Sequence, residues 1–121
     1  MINSRRKGAA GEREWALTLR QHGWDARRGQ QYSGLEGEDV VSDLPLHWEV
    51  KRVERLNIHD AVDQAKRDSI GKLPAVAHRR NYCEWLVTMT AEDFLAMMTL
   101  ALDDQTIEDV IKFATLRGLN L

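Results

Sequence analysis

The stretch EDVVSDLPLHWEVKR, Glu38 to Arg52, decides how this 121-residue chain is read. Val40 to Ser42 read as a short strand, Asp43-Leu44-Pro45 turns the chain, and Leu46 to Val53 read as a longer strand. Side chains alternate along a strand. Leu46, Trp48 and Val50 therefore share one face and His47, Glu49 and Lys51 the other, so the pattern predicts a buried face opposite a polar one with Glu49 and Lys51 side by side. Asp39 opens the preceding strand. A carboxylate, a turn, then a carboxylate and an amine two residues apart describe either the solvated rim of a hairpin or a metal site with its own lysine.

Upstream, Ala9 to Gln21 reads as a helix ended by His22-Gly23, with Ala9, Glu12, Ala16 and Leu19 on one face. Glu12 thus points inward, where a carboxylate costs desolvation unless a donor meets it, or sits in a frayed first turn that the helix dipole favours. Trp24 to Arg28 reads as a strand, followed by the Gly- and Gln-rich loop GQQYSGLEGED. Downstream, Asn57 caps a helix to about Ser69, with Ile58, Ala61, Val62 and Ala65 along its packed stripe. AVAH (75–78) and CEWLVTM (83–89) read as two more strands, Thr90 caps a helix to about Leu102, and Ile107, Val110, Ile111 and Ala114 mark a last amphipathic segment. The order α-β-β-β-α-β-β-α-α predicts an α/β fold in which a mixed central sheet is flanked by helices. Its length predicts a single domain over 1–121, with residues 1–8 a basic, mobile lead and 104–121 a C-terminal helical extension.

Composition narrows the function classes. The chain is 43% hydrophobic and 30% charged with a formal net charge of -2, as in ordinary globular proteins. No run approaches the roughly 18 apolar residues that span a bilayer, and the N-terminus has no apolar signal region, so the expectation is a cytoplasmic protein with no membrane association. One cysteine, Cys83, excludes an internal disulfide, and His22, His47, His59 and His78 lack zinc-ligand spacing. The average charge hides an asymmetry. Residues 1–30 carry seven Lys/Arg against three Asp/Glu, while residues 91–121 carry two against six. A basic N-terminal third suits phosphate contacts, though dispersed cations are also what a solvated helix carries.

Glu-x-Lys alone is a weak signal in a chain of this composition. Its context is stronger, because Asp39, Glu49 and Glu12 come from separate segments that can converge at one sheet edge beside Lys51. Such a group suits metal-assisted phosphodiester hydrolysis. Mg²⁺ takes oxygen ligands and keeps several waters, so two or three carboxylates and a phosphate oxygen suffice, and an adjacent ammonium can orient the attacking water or offset charge in the transition state.

RRKGAAGERE, SGLEGEDVV and WEVKR, in that order and at these distances, resemble the nuclease superfamily named for its Pro-Asp…(Asp/Glu)-x-Lys motif, and within it the archaeal-type Holliday junction resolvases and related phage proteins. The Lys7-Gly8 to Glu12-Arg13 opening is the more specific part. The resemblance covers about residues 5–80, and VAHRRNYCEWLVTM is similar to the later strands of phage members. It implies a restriction-endonuclease-like core, metal binding by Asp39 and Glu49 with Glu12 in support, and a catalytic role for Lys51. Ser33 matches a serine near the scissile phosphate. Gln64 stands where related nucleases often carry a glutamine, without the tyrosine that accompanies it in some branches. Glu38 replaces the proline that often precedes the motif aspartate, which predicts a less fixed backbone there. The implied activity is Mg²⁺-dependent cleavage of branched DNA, with Mn²⁺ a possible substitute. Phosphate contacts are expected from Arg5, Arg6, Lys7, Arg13, Arg52 and Arg55, and such contacts position DNA without reading its sequence. Tyr32 either stacks on a base or packs in its turn. Cutting two opposed strands of a junction implies a homodimer. A flap or general nuclease of the same superfamily, or a DNA-binding module whose carboxylates are structural, are the alternatives.

Overall fold

The computed structural model describes the backbone of residues 4–29 and 38–118, with side chains from residue 8 onward. Ser33 and Tyr32 lie outside the described residues, as do the side chains of Arg5, Arg6 and Lys7. The elements are α1 (Ser4–Gln21), β1 (Ala26–Arg28), β2 (Val40–Ser42), β3 (Leu46–Arg52), α2 (Ile58–Asp68), β4 (Leu73–Arg79), β5 (Leu86–Thr88), α3 (Ala91–Ala101) and α4 (Asp104–Leu116). Among the described residues, no helix is long and apolar enough to cross a membrane.

The protein is mixed α/β, with one five-stranded mixed sheet in the order β1-β2-β3-β4-β5. β2 runs antiparallel to both β1 and β3, β4 runs parallel to β3, and β5 returns antiparallel to β4. A parallel neighbour requires a crossover, and α2 supplies it between β3 and β4. The crossover starts where Asn57 caps α2 by accepting a hydrogen bond from the Asp60 amide at 3.1 Å.

The two faces of β3 correct the expectation of one polar face. Residues Leu46 through Val50 are buried without interruption, and His47 and Glu49 are only 2% and 3% exposed. Helices cover both sides. On one side Trp48 meets Trp15 of α1 edge-on, with ring centroids 5.0 Å apart, and Trp15 in turn lies 5.0 Å from Trp85. On the other, Lys51 bonds to Gln64 of α2, while Ala61 and Ala65 pack against Val76, the register partner of Glu49. The two alanines let α2 approach the sheet closely. Burying Trp48 removes about 150–250 Å² from water, worth roughly 4–6 kcal/mol before entropy and strain are counted.

Other boundaries shift for local reasons. The helical backbone of α1 starts at Ser4, five residues before the expected Ala9, so five of the eight residues of the expected lead are helical. Gly11 sits inside α1 although glycine weakens a helix by about 1 kcal/mol. A Cβ there would lie 2.6 Å from Arg52 Cβ, so the glycine is what lets α1 rest against β3. β1 begins at Ala26, leaving Trp24 exposed. β4 extends back over Pro74, opposite His47; β5 pairs only with Val76–His78, so the missing proline N–H falls where β4 has no second neighbour.

The chain divides into two compact units, Met1–Thr90 and Ala91–Leu121. The second unit holds α3 and α4. Neither α3 nor α4 contains a buried residue, although both are rich in large apolar side chains.

Candidate active site

The centre of the first unit is built by three neighbouring backbones. Asp39 lies one residue before β2, its amide donates to the Trp48 carbonyl at 2.9 Å, and its carbonyl accepts from the Gly29 amide at 2.9 Å. The Asp39 carboxylate turns back over β3 and its Oδ2 accepts from the Val50 amide at 2.8 Å. Its side chain also shares a hydrogen bond with Glu49. From β3 itself, Lys51 Nζ stands 3.7 Å from Glu49 Oε1 and donates to Gln64 Oε1 at 3.1 Å.

Two carboxyl groups held this close under cover cannot both ionise cheaply. Burial, then the Asp39 charge, pushes Glu49 up to about 8, while the Lys51 ammonium works in the opposite direction. Asp39 is also raised by burial, and the Val50 amide and Glu49 hydrogen bonds restrain that rise. At neutral pH the pair thus holds one proton between its oxygens. Asp39 and Glu49 are the two carboxyl groups here that could hold a cation. Mg²⁺ is commonly held by one or two carboxylates, with water and substrate phosphate completing its octahedron, and its binding displaces the protons of its ligands.

The sequence-predicted residues separate into groups. Asp39, Glu49, Lys51 and Gln64 come together. Glu12 is inward as expected, 7% exposed, but its carboxylate accepts from Arg28 Nε of β1 at 2.9 Å, so a role as metal ligand would require it to exchange that guanidinium for an ion. Among the described residues, no group of three or more His, Cys, Asp or Glu side chains is arranged to hold a metal. Arg13 is exposed on α1. Arg52 is half-buried, 3.5 Å from Glu14 Oε2 and donating to Asn81 Oδ1 at 3.0 Å, so it ties α1, β3 and the turn after β4 together. Glu14 also pairs with Arg79. Arg55 lines an open groove of about 540 Å³ with Lys51, Gln64 and Arg67, and with Asp60 and Asp63 opposing their charge.

Four residues escaped sequence reasoning. Arg28 satisfies Glu12, Arg67 shares the groove of Lys51, Lys72 meets Glu38, and His47 is buried beside the centre, where burial pushes its imidazole pKa down. Arg67 carried a faint signal, since it lies three residues after Gln64 and so on the same side of α2. Arg28 and Lys72 carried none, because their partners are distant in sequence.

No family model matches this chain, and none of the curated proteins shows significant similarity to it.

Proposed function

We propose that this chain is a metal-dependent endonuclease with a restriction-endonuclease-like core that hydrolyses phosphodiester bonds in branched DNA, acting on Holliday junctions as a homodimer. The observation that carries this reading is the close approach of the half-buried Asp39 and buried Glu49 carboxyl groups beside the Lys51 ammonium on the central strand. Carboxyl groups held together under cover, with their pKa values pushed up beside a lysine, are common at functional sites.

In this reading Asp39 and Glu49 hold Mg²⁺, or Mn²⁺ in its place. The bound ion would supply Lewis acidity, acidifying a water and offsetting charge on the phosphate. The chain's own groups do the rest. The Val50 amide holds the Asp39 carboxylate, and Gln64 and Glu49 orient the Lys51 ammonium, from which a remaining N–H can meet a phosphate oxygen or a water. Lys51 then acts on charge that develops in the transition state. Arg55 and the groove it lines accept the neighbouring backbone, which favours selection by DNA shape over sequence. The exposed Phe94, Leu95, Ile107, Val110 and Ile111 of the second unit support pairing of two chains, because apolar surface of that extent ordinarily marks an interface.

The test is a cleavage panel of four-way junction, flap and linear duplex, each with Mg²⁺ and with chelator. Metal-dependent paired nicks in the junction are the expected result. Preference for the flap would move the reading to the flap nuclease of the same superfamily. Junction binding without cleavage in any divalent metal would leave a DNA-binding module with structural carboxylates.

A further inference from the structure

Glu38 stands next to Asp39, where the sequence resemblance calls for a proline, yet it is no loose solvent residue. Its side chain is buried, 7% exposed, and Oε1 accepts from Lys72 Nζ at 3.2 Å. The same ammonium reaches the Ser42 carbonyl at 3.4 Å, so Lys72 grips β2 from both ends, having come from the turn that leads into β4. The backbone of this segment is tight as well. A Cβ on Gly29 would lie 2.0 Å from the Glu38 carbonyl oxygen, and only glycine allows the end of β1 to lie against it.

We propose that the Glu38–Lys72 ion pair fixes the backbone at Asp39, in the way a proline's closed ring would, and that Lys72 is a positioning residue of the candidate centre. Asp39 has its own backbone bonds to Gly29 and Trp48, but these fix its main chain at a single residue. Its carboxylate reaches the Val50 amide only if the segment entering β2 keeps its direction, and the Glu38 side chain ties this entry to Lys72 just before β4. With Lys72 removed, a buried carboxylate would lose its cation and turn toward water, carrying the Asp39 backbone with it. Loss of a group that orients a ligand ordinarily weakens a metal site about 10–100-fold without touching the ion.

The inference rests on the nuclease reading for its consequence but not for its geometry, and the experiment separates the two. Lys72→Met, Lys72→Arg and the double variant Glu38→Pro with Lys72→Met are compared with wild type. The first readout is hydrogen exchange of the Val50 amide in metal-free protein, with the Val76 amide as control; the second is Mn²⁺ affinity by calorimetry. We expect Lys72→Met to speed Val50 exchange and to weaken Mn²⁺ binding by about tenfold or more, with Val76 unchanged. Lys72→Arg keeps the cation, and the double variant replaces the ion pair by a ring, so both should stay within about threefold of wild type. Unchanged Val50 exchange in Lys72→Met would overturn the proposal, as would equal acceleration at Val76, which signals general loosening. A double variant no better than Lys72→Met would do the same. A wild type that binds no Mn²⁺ sinks the nuclease reading alone, and the Val50 amide still decides whether Lys72 positions Asp39.

Discussion

Replacing Glu49 by Gln should make the metal-free protein more stable at alkaline pH while removing a ligand. The rise of the Glu49 carboxyl from its ordinary 4.5 to about 8 means that the folded protein holds this proton more tightly than the unfolded chain does. Its contribution is therefore fully present below pH 4.5 and is lost as pH climbs through 8. At about 1.4 kcal/mol per pH unit the full rise corresponds to roughly 5 kcal/mol. Relaxation around the ionised pair discounts that figure, so the expected loss is about 2–3 kcal/mol. Glutamine fills the same space, and its amide can donate to Asp39 as the protonated carboxyl does. Urea unfolding at pH 4.5 and pH 8.5, both with chelator, should then show a falling profile for wild type and a flatter one for Glu49→Gln. The difference between the two profiles matters more than either alone, because every ionisable group other than residue 49 is common to both proteins. Added Mg²⁺ should restore wild type at pH 8.5 and leave the variant unmoved, since binding to the folded state is stabilising only where a site exists. Parallel pH profiles would refute the proton-sharing pair.

Lys51→Ala should lower single-turnover cleavage at saturating protein far more than DNA affinity, because a group acting in the transition state contributes little to ground-state binding; weak binding with normal saturated cleavage would make it a phosphate clamp instead. Gly11→Ala should destabilise by about 1–3 kcal/mol in urea unfolding despite alanine's better helix propensity, since the new methyl overlaps the Arg52 side chain at the α1–β3 contact. Deleting residues 1–7 should weaken binding to every DNA shape and flatten its salt dependence, as removing Arg5, Arg6 and Lys7 reduces the number of counterions released. Val110→Glu and Ile111→Glu, both on exposed positions of α4, should convert a dimer to a monomer in sedimentation at micromolar protein, and a wild type that is already monomeric with and without junction would count against resolution by paired nicks.

The succession and type of all nine elements were legible because each carried its own local signal: the Asn57 cap, the Asp43-Leu44-Pro45 turn, and the period-two run through Trp48. What escaped was tertiary. Alternation around Glu49 read as one wet face because a sequence does not show that α2 folds back over it, and a charge that is solvated in a hairpin becomes a buried, proton-holding one under a helix. The inward turn of Glu12 was readable from helix spacing, but its partner Arg28 lies sixteen residues away on another element. The same holds for Glu38. Its partner Lys72 is thirty-four residues downstream. Short-range pattern thus located the Asp39, Glu49 and Lys51 side chains, while the contacts that set their charge state came from packing.

Of the chain's four tryptophans, Trp15 on α1 stands in contact with both Trp48 and Trp85, and the fourth, Trp24, is 42% exposed. Indole rings so close couple their electronic transitions, so the near-ultraviolet circular dichroism of the unlabelled protein should be dominated by the cluster. Trp48 immediately precedes Glu49 along β3, which makes that band an optical gauge of whether α1 is docked behind the carboxylate pair. Trp24, open to collisional quenchers such as acrylamide, reports separately on the turn that leaves α1. Unlabelled protein in a cuvette can therefore distinguish undocking of α1 from local change at the turn, and each signal can be followed as pH or metal is varied.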